Sequence, residues 1–305
     1  HRTFLEFFAA WAFVWEFKET QTLTFEELRD QTFGAHWQEE SWQEVLRLLA
    51  GMIEPIFVGQ TIESLIAQHG KSEKYMNLFL AAECLAEVRK RTDIQTVSAT
   101  LLANIKALIQ LESALFDLDD PGQENSNLIQ EVQKKAVVIV SKTWSENRET
   151  LAWLKALTQD GDWAVRQASL EAIARGWSDT PNILSLFKNR AYEDEDLNVR
   201  DTAVRMIAQE WRYHPETLSW LKNRAQKDEN KAVRLAAVQE LAQSWADDND
   251  VLPLLKNRSR EDENLYVRST AVLELIRGWK DDSDTLIWLK TLVQEDDDSY
   301  VRHTA

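Results

Sequence analysis

Several groups of residues have the types and spacing for chemistry, and each makes a definite demand on its surroundings. The "HGKS" run at 69 to 72 has the end of a phosphate-binding loop, but that loop also needs a glycine five positions before Gly70 and a strand leading in. Leu65 stands there instead, in a segment that reads as helical, so a helix ended near Gly70 is the expectation. Cys84, the single cysteine, would need a base beside it to act as a nucleophile; its neighbours in "NLFLAAECLAEV" are apolar at helical spacing and predict a buried thiol. The histidines at 1, 36, 69, 214 and 303 are too scattered for a zinc site, and no metal is expected. "EDED" at 193 to 196 and "EDDD" at 295 to 298 lack the glycine and ligand spacing of a calcium loop and read as solvated loops. Eight of the thirteen tryptophans fall at repeating helical positions, which predicts core rather than a ligand-stacking platform.

The most regular chemistry is ionic. Val-Arg pairs occur at 165–166, 199–200, 233–234, 267–268 and 301–302, and six residues before each arginine stands an aspartate: Asp160, Asp194, Asp228, Asp262 and Asp296, before Arg166, Arg200, Arg234, Arg268 and Arg302. At 100° per residue the arginine falls inside the apolar stripe that starts at the valine, where an unpaired charge is costly, so each needs a carboxylate. A row of charge-assisted hydrogen bonds linking neighbouring units is the expected solution. A second basic series, Lys188, Arg190, Lys222, Arg224, Lys256 and Arg258, recurs at the same spacing and could offer a ridge to nucleic acid.

These residues must be positioned by helices. With 8 Gly and 5 Pro in 305 residues there is too little turn chemistry for a many-stranded sheet, while 44% hydrophobic and 28% charged residues describe a chain that folds. The 34-residue period marks helical hairpins: a first helix such as "TLSWLKNRA", an acidic loop, and an Asp or Asn of the N-cap type (Asp162, Asp196, Asn230, Asn264, Asp298) opening a second helix. Counting from each valine, small or apolar residues at +4, +5, +8, +9 and +12 form the buried stripe of that second helix. Positions +2, +6 and +10 point away from it and change chemistry between units, so a line through Gln167, Glu171, Asp201, Arg205, Leu235, Gln239, Ser269 and Leu273 is expected to be exposed and to be a ligand face. Before residue 120 the period is absent. There the pattern reads as an aromatic helix from Phe4 to Lys18, one from about Trp42 to Met52, and two long ones near 73–91 and 94–117, closed by "DDPGQENSN" at 119 to 127.

The balance of 35 basic against 51 acidic residues, net −16, works against phosphate-backbone binding. The longest apolar run, Phe7 to Trp15, is well short of the ~20 residues a membrane span needs, and the lone thiol suggests a reducing, cytoplasmic setting.

The Asp, Val-Arg, Ala pattern over residues 125 to 305 resembles the HEAT repeat, especially the HEAT-like form of phycobilin lyases, with a degenerate first unit in which Gln133 replaces the arginine. "HRTFLEFFAAW" followed by "WQEVLRLLAGMI" resembles the end of the winged-helix region and the linker of NACHT-type signal-transduction NTPases of the STAND class, which include the NLR immune receptors. The fold expected is all-α: an α-α superhelix of about five hairpins over 121–305, the last truncated, after an irregular helical region over 1–120. What the resemblance implies is a non-catalytic sensor or scaffold arm in defence or stress signalling. The arm carries no cofactor of its own, an upstream module binds ATP or ADP, and His1 would touch the nucleotide's phosphate or else merely begin a helix. Its partner would be a protein ligand or that module itself. The alternative, suggested by the repeats alone and by nothing in residues 1 to 120, is a phycobilin lyase or its subunit, and nucleic-acid binding is a weaker third reading.

Overall fold

In the computed structural model, which describes residues 2–111 and 123–305, helices are the sole regular elements of the described residues. His1 and the junction expected at 120/121 lie outside them. No described helix is long and apolar enough to cross a membrane. Contacts divide the chain into two compact units, His1–Gln159 and Asp160–Ala305.

The first unit contains α1 (Arg2–Lys18), α2 (Gln43–Met52), α3 (Pro55–Ile66), α4 (Met76–Ala86), α5 (Gln95–Ala107), α6 (Gln123–Thr143) and α7 (Arg148–Leu157). Its core is built around α4, which packs on α2, α3, α5 and α6 and is buried over Leu78–Ala82, Cys84 and Leu85. Leu46, Ile62, Leu101 and Val140 close on it from those neighbours. Two helices are shorter than the sequence pattern implies. The left-handed backbone of Lys74 and Tyr75, φ 53° and 58°, delays α4 to Met76, and α5 gives way at Leu108 to a tight turn ending at Gln110. Gly70 follows α3 without left-handed backbone. Glycine is required because a Cβ would sit 1.8 Å from Asn77 Oδ1, and Asn77 donates Nδ2 to the Leu65 and Gln68 carbonyls to close α3. The α6–α7 pair, which carries Val132, Gln133 and Trp144 in the register of the repeats, packs in this unit. Gln133 spends its amide on the Ile109 carbonyl at 2.9 Å.

The second unit opens with α8 (Trp163–Trp177) and continues as four hairpins: α9 (Ile183–Glu193) with α10 (Leu197–Glu210), α11 (Thr217–Lys227) with α12 (Lys231–Ser244), α13 (Val251–Glu261) with α14 (Leu265–Trp279), and α15 (Ser283–Glu295) with α16 (Ser299–Thr304). Each second helix starts where the Asp or Asn side chain accepts an amide two residues on, from Ala164, Asn198, Ala232, Tyr266 and Tyr300. The second helices stack in a row, α8 on α10, α10 on α12, α12 on α14 and α14 on α16. Small residues at the stripe, Ala168 and Ser169, Thr202 and Ala203, Ala236 and Ala237, let those backbones approach, while Val165, Val199, Val233, Val267 and Val301 are wholly buried. This is the all-α hairpin solenoid that the period implies.

Cys84 lies at the centre of α4, its thiol against the Leu46 carbonyl, and burial pushes its pKa far above the ordinary thiol value. A thiol reagent such as DTNB is therefore expected to leave the folded protein unlabelled at neutral pH and to label one site per chain in urea. Rapid labelling of the folded protein would contradict this placement.

Candidate interaction surface

The loop between the helices of each hairpin is shaped by one aspartate, which ends the first helix in extended backbone. Its carboxylate accepts the amide two residues later: Asp162 N on Asp160, Asp196 N on Asp194, Asn230 N on Asp228, Asn264 N on Asp262, Asp298 N on Asp296. The same carboxylate is then offered to the preceding hairpin. Arg234 donates Nε and Nη2 to the two oxygens of Asp262, both at 2.9 Å, in a forked pair. Its Nη1 reaches back to the carbonyls of Asp228, at 2.8 Å, and Glu229, at 3.2 Å, and Nη2 also meets Glu263 at 3.1 Å. All five guanidinium N–H groups have acceptors, so a side chain only 5% exposed leaves no donor unmet. Arg166 repeats the arrangement on Asp194, with 3.0 and 2.8 Å bonds and Nη1 on the Asp160 carbonyl, and the Asp194 hydrogen bonds hold its pKa above the ordinary guanidinium value. Arg268 meets Asp296 at 3.2 and 3.3 Å.

The row has one gap. Arg200 is half-buried and donates Nε to the Asp194 carbonyl of its own loop, and Asp228 is taken at 3.0 Å by Arg224 of its own helix. Arg302 likewise bonds the Asp296 and Asp297 carbonyls. The forked inter-hairpin rungs of the described residues are thus Arg166–Asp194, Arg234–Asp262 and Arg268–Asp296.

The line at +2, +6 and +10 is graded rather than uniformly exposed. Gln167, Glu171, Asp201, Arg205, Leu235 and Gln239 are half-buried and Ser269 is buried; Leu273, at 50%, and the +10 residues Arg175, Gln209, Gln243 and Arg277 are exposed. The cause is the close stacking of second helices, which turns +2 and +6 sideways into the next helix. Gln167 donates to Thr202, Ser269 to Thr304, and Arg205 is held by Asp201, Gln239 and Glu240 at 2.7, 2.6 and 3.3 Å. Leu235, expected in the open, is partly covered in the same way.

Two buried carboxylates in this seam, Glu240 and Glu274, escaped the sequence reading. They occupy the same register position, seven after Val233 and Val267, where the units of Val165 and Val199 carry Ala172 and Met206. Arg205 meets the first, Gln243 and Arg277 the second. Burial pushes the Glu240 carboxyl up from its ordinary 4.5, against the pull of Arg205.

The basic ridge is neutralised. Lys188 pairs with Glu216, Arg190 with Glu193 and Asp194, Lys222 with Asp248 and Asp250, Arg224 with Asp228, Lys256 with Asp282 and Arg258 with Asp262. The repeat tryptophans are less deeply placed than a core reading has them. Trp144 is buried, but Trp153, Trp177, Trp211, Trp220, Trp245, Trp279 and Trp288 are half-buried. They cover the seams: Trp211 donates Nε1 to the Ser178 carbonyl and Trp288 to Ser259 of the preceding hairpin. His36 pairs with Glu39 and stacks on Trp42, and no group of three or more metal-ligating side chains comes together among the described residues.

A family model described as HEAT repeats matches residues 150–242, 184–276 and 218–305. No curated protein and no solved structure matches the chain.

Two outcomes test this geometry. Arg234→Ala removes the fork from the 1%-exposed Asp262 carboxylate, which keeps the Asn264 amide and Arg258 at 3.4 Å, and should cost about 2–4 kcal/mol in urea unfolding, against about 1 kcal/mol for Arg200→Ala, which loses a single bond to a carbonyl. Equal losses would remove the distinction between rung and gap. For Glu240 the folded pKa lies above the unfolded one, so the ionised carboxylate weighs against folding once the pH rises past about 4.5. Glu240→Gln should gain stability relative to wild type between pH 4 and pH 7; a pH-independent difference in urea midpoints would contradict this.

Proposed function

Because the chain belongs to the HEAT-repeat family, we propose that it works as the sensor or scaffold arm of a NACHT-type nucleotide-dependent switch, binding a protein ligand. HEAT repeats act as helical scaffolds and mediate protein interactions, and the observation that carries the reading here is a contrast between adjacent positions. The valine, arginine and loop aspartate recur in every hairpin, while the accessible +6 and +10 positions run from Arg175 through Gln209 and Gln243 to Leu273 and Arg277. A regular frame presenting irregular side chains is suited to recognising one partner shape. Because Gln167, Asp201, Arg205 and Ser269 are engaged between helices, this reading draws its recognition line at +10 and Leu273.

The link to a nucleotide switch rests on the resemblance of "HRTFLEFFAAW" and "WQEVLRLLAGMI" to the winged-helix and linker region of such proteins, with His1 as the residue that would sense the phosphate. The form of α1 is in keeping with it. The helix buries Ala10 and leaves Phe4, Leu5, Phe8 and Trp11 exposed, an apolar face of the kind that another protein surface covers. In that reading, ligand on the arm favours the open state of the upstream module and so promotes exchange of ADP for ATP.

Reading the coding region that precedes His1 is the direct test. A phosphate-loop motif between a strand and a helix is expected there; its absence would overturn the switch and leave a scaffold alone. In the protein extended by that module, Leu273→Asp should leave far-UV circular dichroism unchanged and abolish ligand-stimulated nucleotide turnover. An unchanged response would move recognition to the first helices or the loops.

A further inference from the structure

The first unit contains an open hollow of about 830 Å³ whose charge runs against that of the protein. Its walls are the segment after α4, the face of α5, the last turn of α6 and the turn that follows. Four cations line it, Arg89, Arg91, Lys106 and Lys142, against two carboxylates, Glu146 and Glu149. In a chain of net −16 with 51 carboxylates to draw on, such an excess is unexpected.

The cations are also spent differently from those of the second unit, where each member of the ridge has a carboxylate. Arg91 bonds to carbonyls, those of Ala86, Val88 and Thr143, tying the C-terminal ends of α4 and α6 together with no carboxylate on it among the described residues. Lys106 lies 5.1 Å from the Trp153 ring, a contact that stabilises a cation and leaves its charge intact. Arg89 and Lys142 are exposed and form no ion pair among the described residues. Structural contacts therefore account for Arg91 and Lys106, and Arg89 and Lys142 line the hollow without one among the described residues.

The remaining lining adds a hydroxyl donor and an apolar edge. Ser98 Oγ accepts the Trp144 indole N–H at 3.0 Å, which leaves the serine's own proton free to donate. Leu102 and the Trp144 edge supply apolar surface beside it. The volume lies within the range of small-molecule sites, roughly 300–1,000 Å³. At physiological ionic strength the screening length is about 8 Å, so the acidic charge of distant surfaces is damped more than that of groups lining the hollow.

We propose that this hollow binds a small organic phosphate of nucleotide-monophosphate size: the phosphate among Arg89, Lys142 and Ser98, the flat apolar part against Leu102 and Trp144. Isothermal titration of the whole chain with AMP, adenosine and inorganic pyrophosphate separates the two components. Saturable one-to-one binding of AMP is expected, with adenosine and pyrophosphate each at least about tenfold weaker. Arg89→Glu with Lys142→Glu changes only exposed side chains and should weaken AMP about a hundredfold, at about tenfold per cation, with an unaltered urea midpoint. Lys290→Glu, an exposed site in the second unit, should leave binding unchanged. No saturable AMP binding, adenosine as tight as AMP, or a double variant that binds like wild type would each overturn the site. A dT12 oligonucleotide that binds more tightly than AMP and is lost in the same variant would replace the small phosphate by a nucleic-acid backbone and overturn the ligand class.

Discussion

The second unit depends on one physical constraint, that a guanidinium inside an apolar stripe must have every N–H met. Removing Arg234 and Asp262 from water costs several kcal/mol per ion, recovered only by a complete set of short bonds. The set comes from two places at once: the carboxylate 28 residues ahead and the backbone carbonyl six residues behind. Twenty-eight forward and six back span one 34-residue period, so the full set of acceptors for this side chain is met when neighbouring hairpins keep that period. The loop aspartate answers from the other side, since a carboxylate already fixed by its own Asx turn arrives at the arginine pre-oriented.

Such pairs reinforce a register that hydrophobic stacking also supplies, and the broken rung illustrates it. Between Arg200 and Asp228 the fork is missing, yet α10 still packs on α12 through Val199, Ala203, Ala236 and Ala237. Hydrophobic stacking holds the row together and keeps its register across the gap, and the rungs add to it where they form. Gln133, at the same register position in the first unit, turns to a carbonyl of that unit instead.

Features set by spacing within a single hairpin were legible in the residues: helix period, N-caps, the buried valines. What depends on the next hairpin was legible only in part: a carboxylate was expected for every arginine, and Arg166, Arg234 and Arg268 find one while Arg200 and Arg302 bond carbonyls. The +2 and +6 residues point away from their own helix's stripe, and only the separation of stacked helices decides whether they meet water, as Leu273 does, or a neighbour, as Arg205 and Ser269 do. Glu240 and Glu274 could have been found, since two carboxylates 34 residues apart at the stripe's edge are a periodic signal. The hollow could not, because residues 89, 91, 106 and 142 share no period and meet through the irregular packing of the first unit.

Urea unfolding of Arg234→Ala, Asp262→Ala and the double variant tests the central claim most directly. If the forked pair joins adjacent hairpins, the two losses should be coupled by about 2 kcal/mol or more, the double variant being little worse than either single one. Losses that add to within about 0.5 kcal/mol would show that the two residues act independently, and would leave hydrophobic stacking alone to set the register.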